Sequence, residues 1–356
     1  MTLSAVLCGC GDKVRQIAGP VEGPPVYGWR LAGLASNGAK GGWRFVQLVN
    51  VGTHLYALGD SGQVFEGQQG SLTWNRLQLP DTAFGWVLAA DSSNLYVGTR
   101  GKAKLFRYAP GGSFQDMGLP WTGLNKVNSI SFYQGRLIVS VYQTNSLFWK
   151  CYRWTGSDWS EWKGAFGTDD STTWDPWLVG QEWKGWFYAG TNASGVWRRK
   201  DGDTAWEEVP RPSPIGRGSY SKHPRSIQIW NDSLFVGDEV AAISRINLDG
   251  TFESYQNRRS PADTGLIELP VQLFTIGVAN DHLLTAGWYS AIPLLYSRRT
   301  RHWKYVSDDS WCYKVNGSKV CPGGPATMSL VTVGDTLYAC GTNNIMKFPI
   351  AELPEE

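Results

Sequence analysis

No run of 18 or more apolar residues occurs in the chain, so an ordinary membrane-spanning helix is excluded. No stretch carries a helical hydrophobic period, which leaves strands and turns as the building material. Neither sign of charge dominates: 33 basic and 31 acidic residues leave a formal charge of +2. That balance offers no long-range attraction for nucleic acid or an anionic membrane surface. Histidine is scarce at 4 residues, and only His223 falls in a loop expected on the loop-rich face. A nucleophile elbow, a zinc-ligand spacing and a phosphate-binding loop are all missing. Low complexity is absent too: 42 glycines and 18 prolines in 356 residues stay below the roughly one quarter that marks it. An aromatic content of 13% argues against disorder.

What the chain does have is a repeat. Short apolar strands containing Leu-Tyr or its equivalent begin at Leu55, Leu95, Leu137, Phe187, Leu234, Leu283 and Leu337. Successive starts lie roughly 40 to 55 residues apart, close to the length of a four-stranded propeller blade. A second marker keeps the same phase. Aromatics at Trp74, Phe114, Trp159, Trp206, Phe252 and Trp303 follow the first six starts at a nearly constant distance. Each unit therefore reads as an inner strand, the Leu-Tyr strand, a third strand, and an outer strand carrying the aromatic. The expected fold is all-β, a seven-bladed propeller spanning residues 20–356 as one domain, with 1–19 as a leader or tether. The seventh unit ends before its outer aromatic. Val26 to Leu31, with Trp29, is expected to supply that strand, closing the last blade and leaving only short, protected edges.

Gly195, Val196 and Trp197, followed by Asp201 and Trp206, resemble the third strand and following turn of Asp-box propellers, the group of sialidase-like repeat proteins. Arg199, Asp203 and Ala205 stand where that group has Ser, Gly and Thr. The Trp-rich blades, with 19 tryptophans in the chain, are also similar to tectonin-like lectins. The resemblance implies architecture, and a fold hosts many functions. A sialidase-like site would add three arginines around a carboxylate, a tyrosine with a glutamate partner and an acidic acid/base. The Arg-containing motif followed by Pro near the N-terminus of that group has no counterpart here.

Compartment is read from cysteine. Asn316-Gly317 is a favoured two-residue hairpin turn. Counting outward pairs Val315 with Ser318, Lys314 with Lys319, Tyr313 with Val320, and Cys312 with Cys321. The cysteines then face each other at the closer cross-strand spacing, compatible with a disulfide. Such a bridge implies a secreted, periplasmic or cell-surface protein. At the start, Leu7-Cys8-Gly9-Cys10 resembles a lipobox, so a lipid anchor on Cys8 or Cys10 is the one membrane attachment expected. Sequons stand at Asn192, Asn231 and Asn316.

Candidate ligand residues are those that repeat phase leaves unexplained. Trp121, Trp174, Trp177 and Trp183 fall in connections leading into inner strands, and Asp175 and Glu182 beside them supply hydrogen-bond acceptors to flat stacking rings. Loops after the Leu-Tyr strands share that face and bring Asp60, Arg100, Lys102, Tyr142, Asn145, Asp238, Trp288 and Tyr289 toward the central channel. Asp238 and Glu239 alone offer too few oxygens for calcium. No metal and no cofactor are expected. Residues 211–225 hold Arg211, Arg217, Lys222 and Arg225 without an acidic residue, a composition suited to a sulfated or uronic-acid sugar or an acidic protein. The expectation is a monomeric, non-enzymatic propeller binding a glycan or protein ligand on its loop-rich face. The alternatives are a sialidase-like hydrolase or polysaccharide lyase, and a protein scaffold.

Overall fold

A computed structural model of the chain describes residues 30–35, 45–120, 123, 125–143, 148–162, 177–191, 195–209, 223–238, 242–255, 272–288, 290–297, 302–306, 313–315, 318–320, 327–341 and 345–353. Strand β1 (Arg30–Ala35) stands apart, and the chain then repeats a set of four antiparallel strands. The first two sets are β2 (Phe45–Val51), β3 (His54–Gly59), β4 (Val64–Gln68) and β5 (Thr73–Leu77), then β6 (Phe84–Ala90), β7 (Leu95–Arg100), β8 (Leu105–Tyr108) and β9 (Gln115–Asp116). Next come β10 (Lys126–Tyr133), β11 (Arg136–Gln143), β12 (Phe148–Trp154) and β13 (Trp159–Glu161), followed by β14 (Trp177–Trp183), β15 (Trp186–Thr191), β16 (Val196–Arg199) and β17 (Glu207–Val209). After these lie β18 (Pro224–Trp230), β19 (Ser233–Asp238), β20 (Ala242–Ile246) and β21 (Phe252–Ser254), then β22 (Gln272–Ala279), β23 (His282–Trp288), β24 (Ser290–Ser297) and β25 (His302–Tyr305). A small hairpin, β26 (Tyr313–Val315) and β27 (Ser318–Val320), precedes β28 (Thr327–Val333), β29 (Thr336–Gly341) and β30 (Ile345–Pro349). Among the described residues the helical pieces are two short 3-10 turns, Pro80–Thr82 and Ile350–Glu352.

Within each set the strands pair in chain order. The innermost strands pack side by side around a closed circuit: β2 on β6, β6 on β10, β10 on β14, β14 on β18, β18 on β22, β22 on β28, and β28 back on β2. Such a circuit of antiparallel sheets is a β-propeller. Leu55, Leu95, Leu137, Phe187, Leu234, Leu283 and Leu337, the repeat markers, are all buried. So are the outer tryptophans Trp74, Trp159, Trp206 and Trp303. Three of these reach back to the preceding set, where their Nε1–H groups donate to the carbonyls of Ala32 (3.2 Å), Met117 (2.9 Å) and Tyr255 (2.7 Å) for Trp74, Trp159 and Trp303 respectively. Phe114 and Phe252 are only partly buried against their clusters.

The inner strands share a device that the repeat markers do not announce. Each has a register shift near its start, at Phe45/Gln47, Gly85/Val87, Val127/Ser129, Trp177/Val179, Pro224/Ser226, Leu273/Thr275 and Thr327/Ser329. Just past the shift, the strand is clipped to a neighbouring set in three cases. The N–H groups of Leu48, Leu88 and Ile276 donate to Ser329 Oγ (3.1 Å), Gln47 Oε1 (2.8 Å) and Ser226 Oγ (2.9 Å). An inner-edge donor that would otherwise face the channel is thereby satisfied by a side chain of its neighbour.

Among the described residues the last set has no fourth strand of its own, and β1 fills the place, with Arg30 opposite Lys347, Leu31 opposite Met346 and Gly33 opposite Ile345. The described part of the closing strand is Arg30–Ala35, which shares Arg30 and Leu31 with the expected Val26 to Leu31 and runs on to Ala35, while residues 26–29 lie outside the described residues. What the ring needs at this position is the small buried Ala32, whose carbonyl meets Trp74. The far end of β1 also pairs in parallel with β5, Leu34 with Thr73 and Ala35 with Trp74. One strand thus bonds to both the last and the first sets.

Candidate functional site

At the entry to the second and third sets, exposed aromatics and two cations come together. Trp86 occupies the bulge between Gly85 and Val87 of β6. A bulged residue is released from strict alternation and can be re-aimed, and Trp86 is 38% exposed while its neighbour Phe84 is 53% exposed. Arg100 closes β7 and stands opposite both Phe84 and Lys126, the latter contact being a backbone bridge that joins the second and third sets into one sheet. The Arg100 guanidinium carbon lies 5.0 Å from the Trp86 ring centroid, and Lys126 Nζ lies 4.8 Å from the same centroid and 5.2 Å from that of Tyr142. These are cation–π distances.

Two structural constraints hold this constellation. A Cβ on Gly98 would stand 2.7 Å from Val127 Cβ and from Val87 Cγ1, so the two sets approach this closely only over a glycine. Buried Thr99 then fixes the turn that follows Arg100: its hydroxyl donates to the Lys102 carbonyl (2.6 Å) and accepts from the Lys104 N–H (2.9 Å). The electrostatics are one-sided. Burial, and secondarily the charge of Arg100, lower the Lys126 pKa. Lys104 is neutralised by Asp81 at 2.7 Å and Asp116 at 3.1 Å. Among the described residues no carboxylate forms an ion pair with Arg100 or Lys126.

The sequence-derived candidates divide. Tyr142 belongs to the constellation. Trp183 does not present a stacking face: it is 6% exposed and packs with Tyr188 at 5.8 Å in a core cluster. Glu182 accepts a 2.6 Å hydrogen bond from the Gln134 N–H, tying the fourth set to the third. Both lie at the far end of β14 from Trp177, about 20 Å away at strand rise. The segment Trp183-Lys184-Gly185-Trp186 is a tight hairpin, with φ of 51° at Lys184 and 77° at Gly185. Similar left-handed pairs at Gln134-Gly135 and Asn231-Asp232 are the repeat signal that identifies it as a turn and not a ligand loop. Asp238 is buried at the end of β19. Trp177 begins β14 and Trp288 ends β23, with their side chains outside the described residues, as are Trp121, Trp174, Asp175, Asn145 and Tyr289. The expected hairpin register of Tyr313 with Val320, Lys314 with Lys319 and Val315 with Ser318 is present, while Cys312 and Cys321 lie outside the described residues. Sequence reasoning misses Trp86 and Lys126, because a bulge and a docked neighbour decide their setting.

No protein-family model matches the chain, and no curated protein matches it. Solved structures do resemble it. A catalytically inactive virginiamycin B lyase from Staphylococcus aureus with quinupristin is similar at TM-score 0.63 and 13% identity, over 86% of this chain and 95% of that one. The WD40 β-propeller domain of Doa1 is similar at TM-score 0.60 and 11% identity, over 92% and 100%. YCF48 bound to D1 peptide follows at TM-score 0.56 and 12% identity, over 90% and 97%. At these identities the likeness establishes the propeller fold and nothing about ligand.

Proposed function

We propose that this chain is a seven-bladed extracytoplasmic propeller, one domain over residues 20–356, that binds carbohydrate without chemically transforming it. The observation that carries the reading is Trp86, a partly exposed indole at a strand bulge, set beside Arg100 and Lys126 where two sets join. Flat rings with hydrogen-bonding groups at their rim suit a sugar, which has an apolar face and a polar edge. Binding without catalysis is supported by the acids. Among the described residues, the carboxylates whose acidity departs clearly from the ordinary range, Asp81, Asp91, Asp201 and Asp249, all shift downward, held as anions by hydrogen bonds. A general acid needs the opposite shift. Extracytoplasmic placement is supported by the hairpin register, which, continued by one residue on each strand, would set Cys312 opposite Cys321. Trp174, Asp175 and Trp177, together with Trp121, Asn145, Trp288 and Tyr289, would extend the binding face. The exposed pair Phe84 and Trp86 favours a protein ligand as the second reading.

A glycan array probed with the wild type and with Trp86→Ala tests this. Selective glycan binding, lost in Trp86→Ala at unchanged melting temperature, is the expected result. An array without hits, with a protein partner captured through Phe84 and Trp86, transfers the role to scaffolding.

A further inference from the structure

Among the described residues, Arg100 and Lys126 form a cationic pair without a counter-charge. Their Cα positions face each other across a backbone bridge, both cationic groups lie within about 5 Å of one indole, and no described carboxylate pairs with either. Nearby Lys104, by contrast, has two carboxylates, and the fork of Arg198 is filled by Glu207 at 2.6 and 3.1 Å. Arg100 is exposed and Lys126 half-buried; two like charges held this close disfavour one another, and an anion bound between them relieves that repulsion.

We propose that the Arg100–Lys126 pair receives the carboxylate of a uronic-acid residue whose ring lies against Trp86, so that the glycan ligand is an acidic polysaccharide. The inference rests on the carbohydrate reading given above. The planar Arg100 fork matches a carboxylate with two parallel hydrogen bonds, Lys126 adds a second positive charge, and the indole takes the apolar side of the sugar. Tyr142, 5.2 Å from Lys126 Nζ, backs the lysine. Lowering of the Lys126 pKa by burial and by Arg100 supports the same conclusion, because a bound anion would offset both causes.

The test uses the full chain and calorimetric titration with hexasaccharides of galacturonate, mannuronate and glucuronate, each beside its carboxyl-reduced counterpart, plus a sulfated hexasaccharide. At least one uronate oligomer is expected to bind, with affinity falling about tenfold or more on carboxyl reduction and in Arg100→Gln or Lys126→Gln, the usual effect of losing one charged hydrogen bond. Binding should weaken with added salt. Melting temperatures of both variants report whether they fold, and Arg100→Lys, which keeps the charge but loses the fork, should bind more weakly than wild type. Equal binding of a carboxyl-reduced oligomer overturns the anion assignment while leaving the sugar platform standing. Binding of the sulfated oligomer alone overturns the carboxylate in favour of sulfate. Failure of every acidic and neutral sugar overturns both this inference and the function it rests on.

Discussion

Arg153 and Asp201 form a two-point ion pair across adjacent sets, with Nη1 to Oδ1 at 2.6 Å and Nη2 to Oδ2 at 3.1 Å. Asp201 belongs to the turn between β16 and β17, and its N–H also donates to the Tyr133 hydroxyl at 2.9 Å. That hydroxyl in turn donates to the Gly185 carbonyl at 3.1 Å. The third and fourth sets are therefore joined by a short polar chain running from a buried arginine to a hairpin tip.

The pH dependence of this joint has a definite sign. The hydrogen bond from Arg153 is the largest influence on Asp201 and lowers its pKa in the folded protein. Its stabilising contribution is fully present above the unfolded value of about 3.9 and disappears as pH falls through the folded value. Asp201→Asn should melt below wild type at pH 6, and the gap should close in strong acid. Melting curves across the acid range up to neutrality check this, and a gap that persists unchanged into strong acid would exclude an ionic origin.

Deleting residues 1–35 removes β1 and leaves β30 and β5 with unpaired edges, so the protein should aggregate or melt much earlier. Deleting residues 1–19 alone should leave the melting temperature nearly unchanged. Equal tolerance of both deletions, read by calorimetry and light scattering, would contradict closure through β1.

Trp183→Ala and Trp206→Ala should each cost about 3 to 5 kcal/mol, as truncation of a buried large aromatic does. Trp86→Ala, at an exposed bulge, should cost under about 1 kcal/mol. Urea unfolding of the three variants separates core from surface directly.

Gly98→Ala should destabilise by about 1 to 3 kcal/mol through overpacking, since the added Cβ meets Val127 and Val87 at 2.7 Å. It should also weaken ligand binding by moving Arg100 relative to Lys126. Loss of stability with fully retained affinity would show that the junction does not position the site.

Thiol labelling distinguishes the cysteines. Cys151 and Cys340 are buried, and burial pushes both thiols up in pKa. Neither should react with an alkylating reagent until the protein unfolds. Cys312 and Cys321 are expected to be linked, so a mass increment from alkylation at those two positions in the native protein would remove the argument for an oxidising compartment.

The repeat is legible because burial writes itself into sequence. Leu95 and Leu234 mark strands that pack on both faces, and Trp74 or Trp303 must appear wherever an outer strand reaches the preceding set. The hairpin at 313–320 is legible through Asn316-Gly317. The site is less so. Trp183 reads as one more loop tryptophan unless the Lys184-Gly185 turn is aligned with Gln134-Gly135 and Asn231-Asp232. Trp86 reads as the start of an ordinary inner strand. Its exposure depends on a bulge, which is a property of two paired strands and leaves no mark in either strand alone. The pairing of Arg100 with Lys126 likewise exists only once two sets have docked.

The double bonding of β1 bears on the order of assembly during synthesis. Its partners on β5 belong to the first set to be made, whereas its partners on β30 belong to the last. A nascent chain can therefore seat β1 against the first set early and hold it there while the remaining sets emerge. Contacts between distant parts of a chain are slow to find from an open state, and a strand already parked beside its destination shortens that search. Weakening the parallel pairing at Leu34 and Ala35 should then slow refolding more than it lowers equilibrium stability.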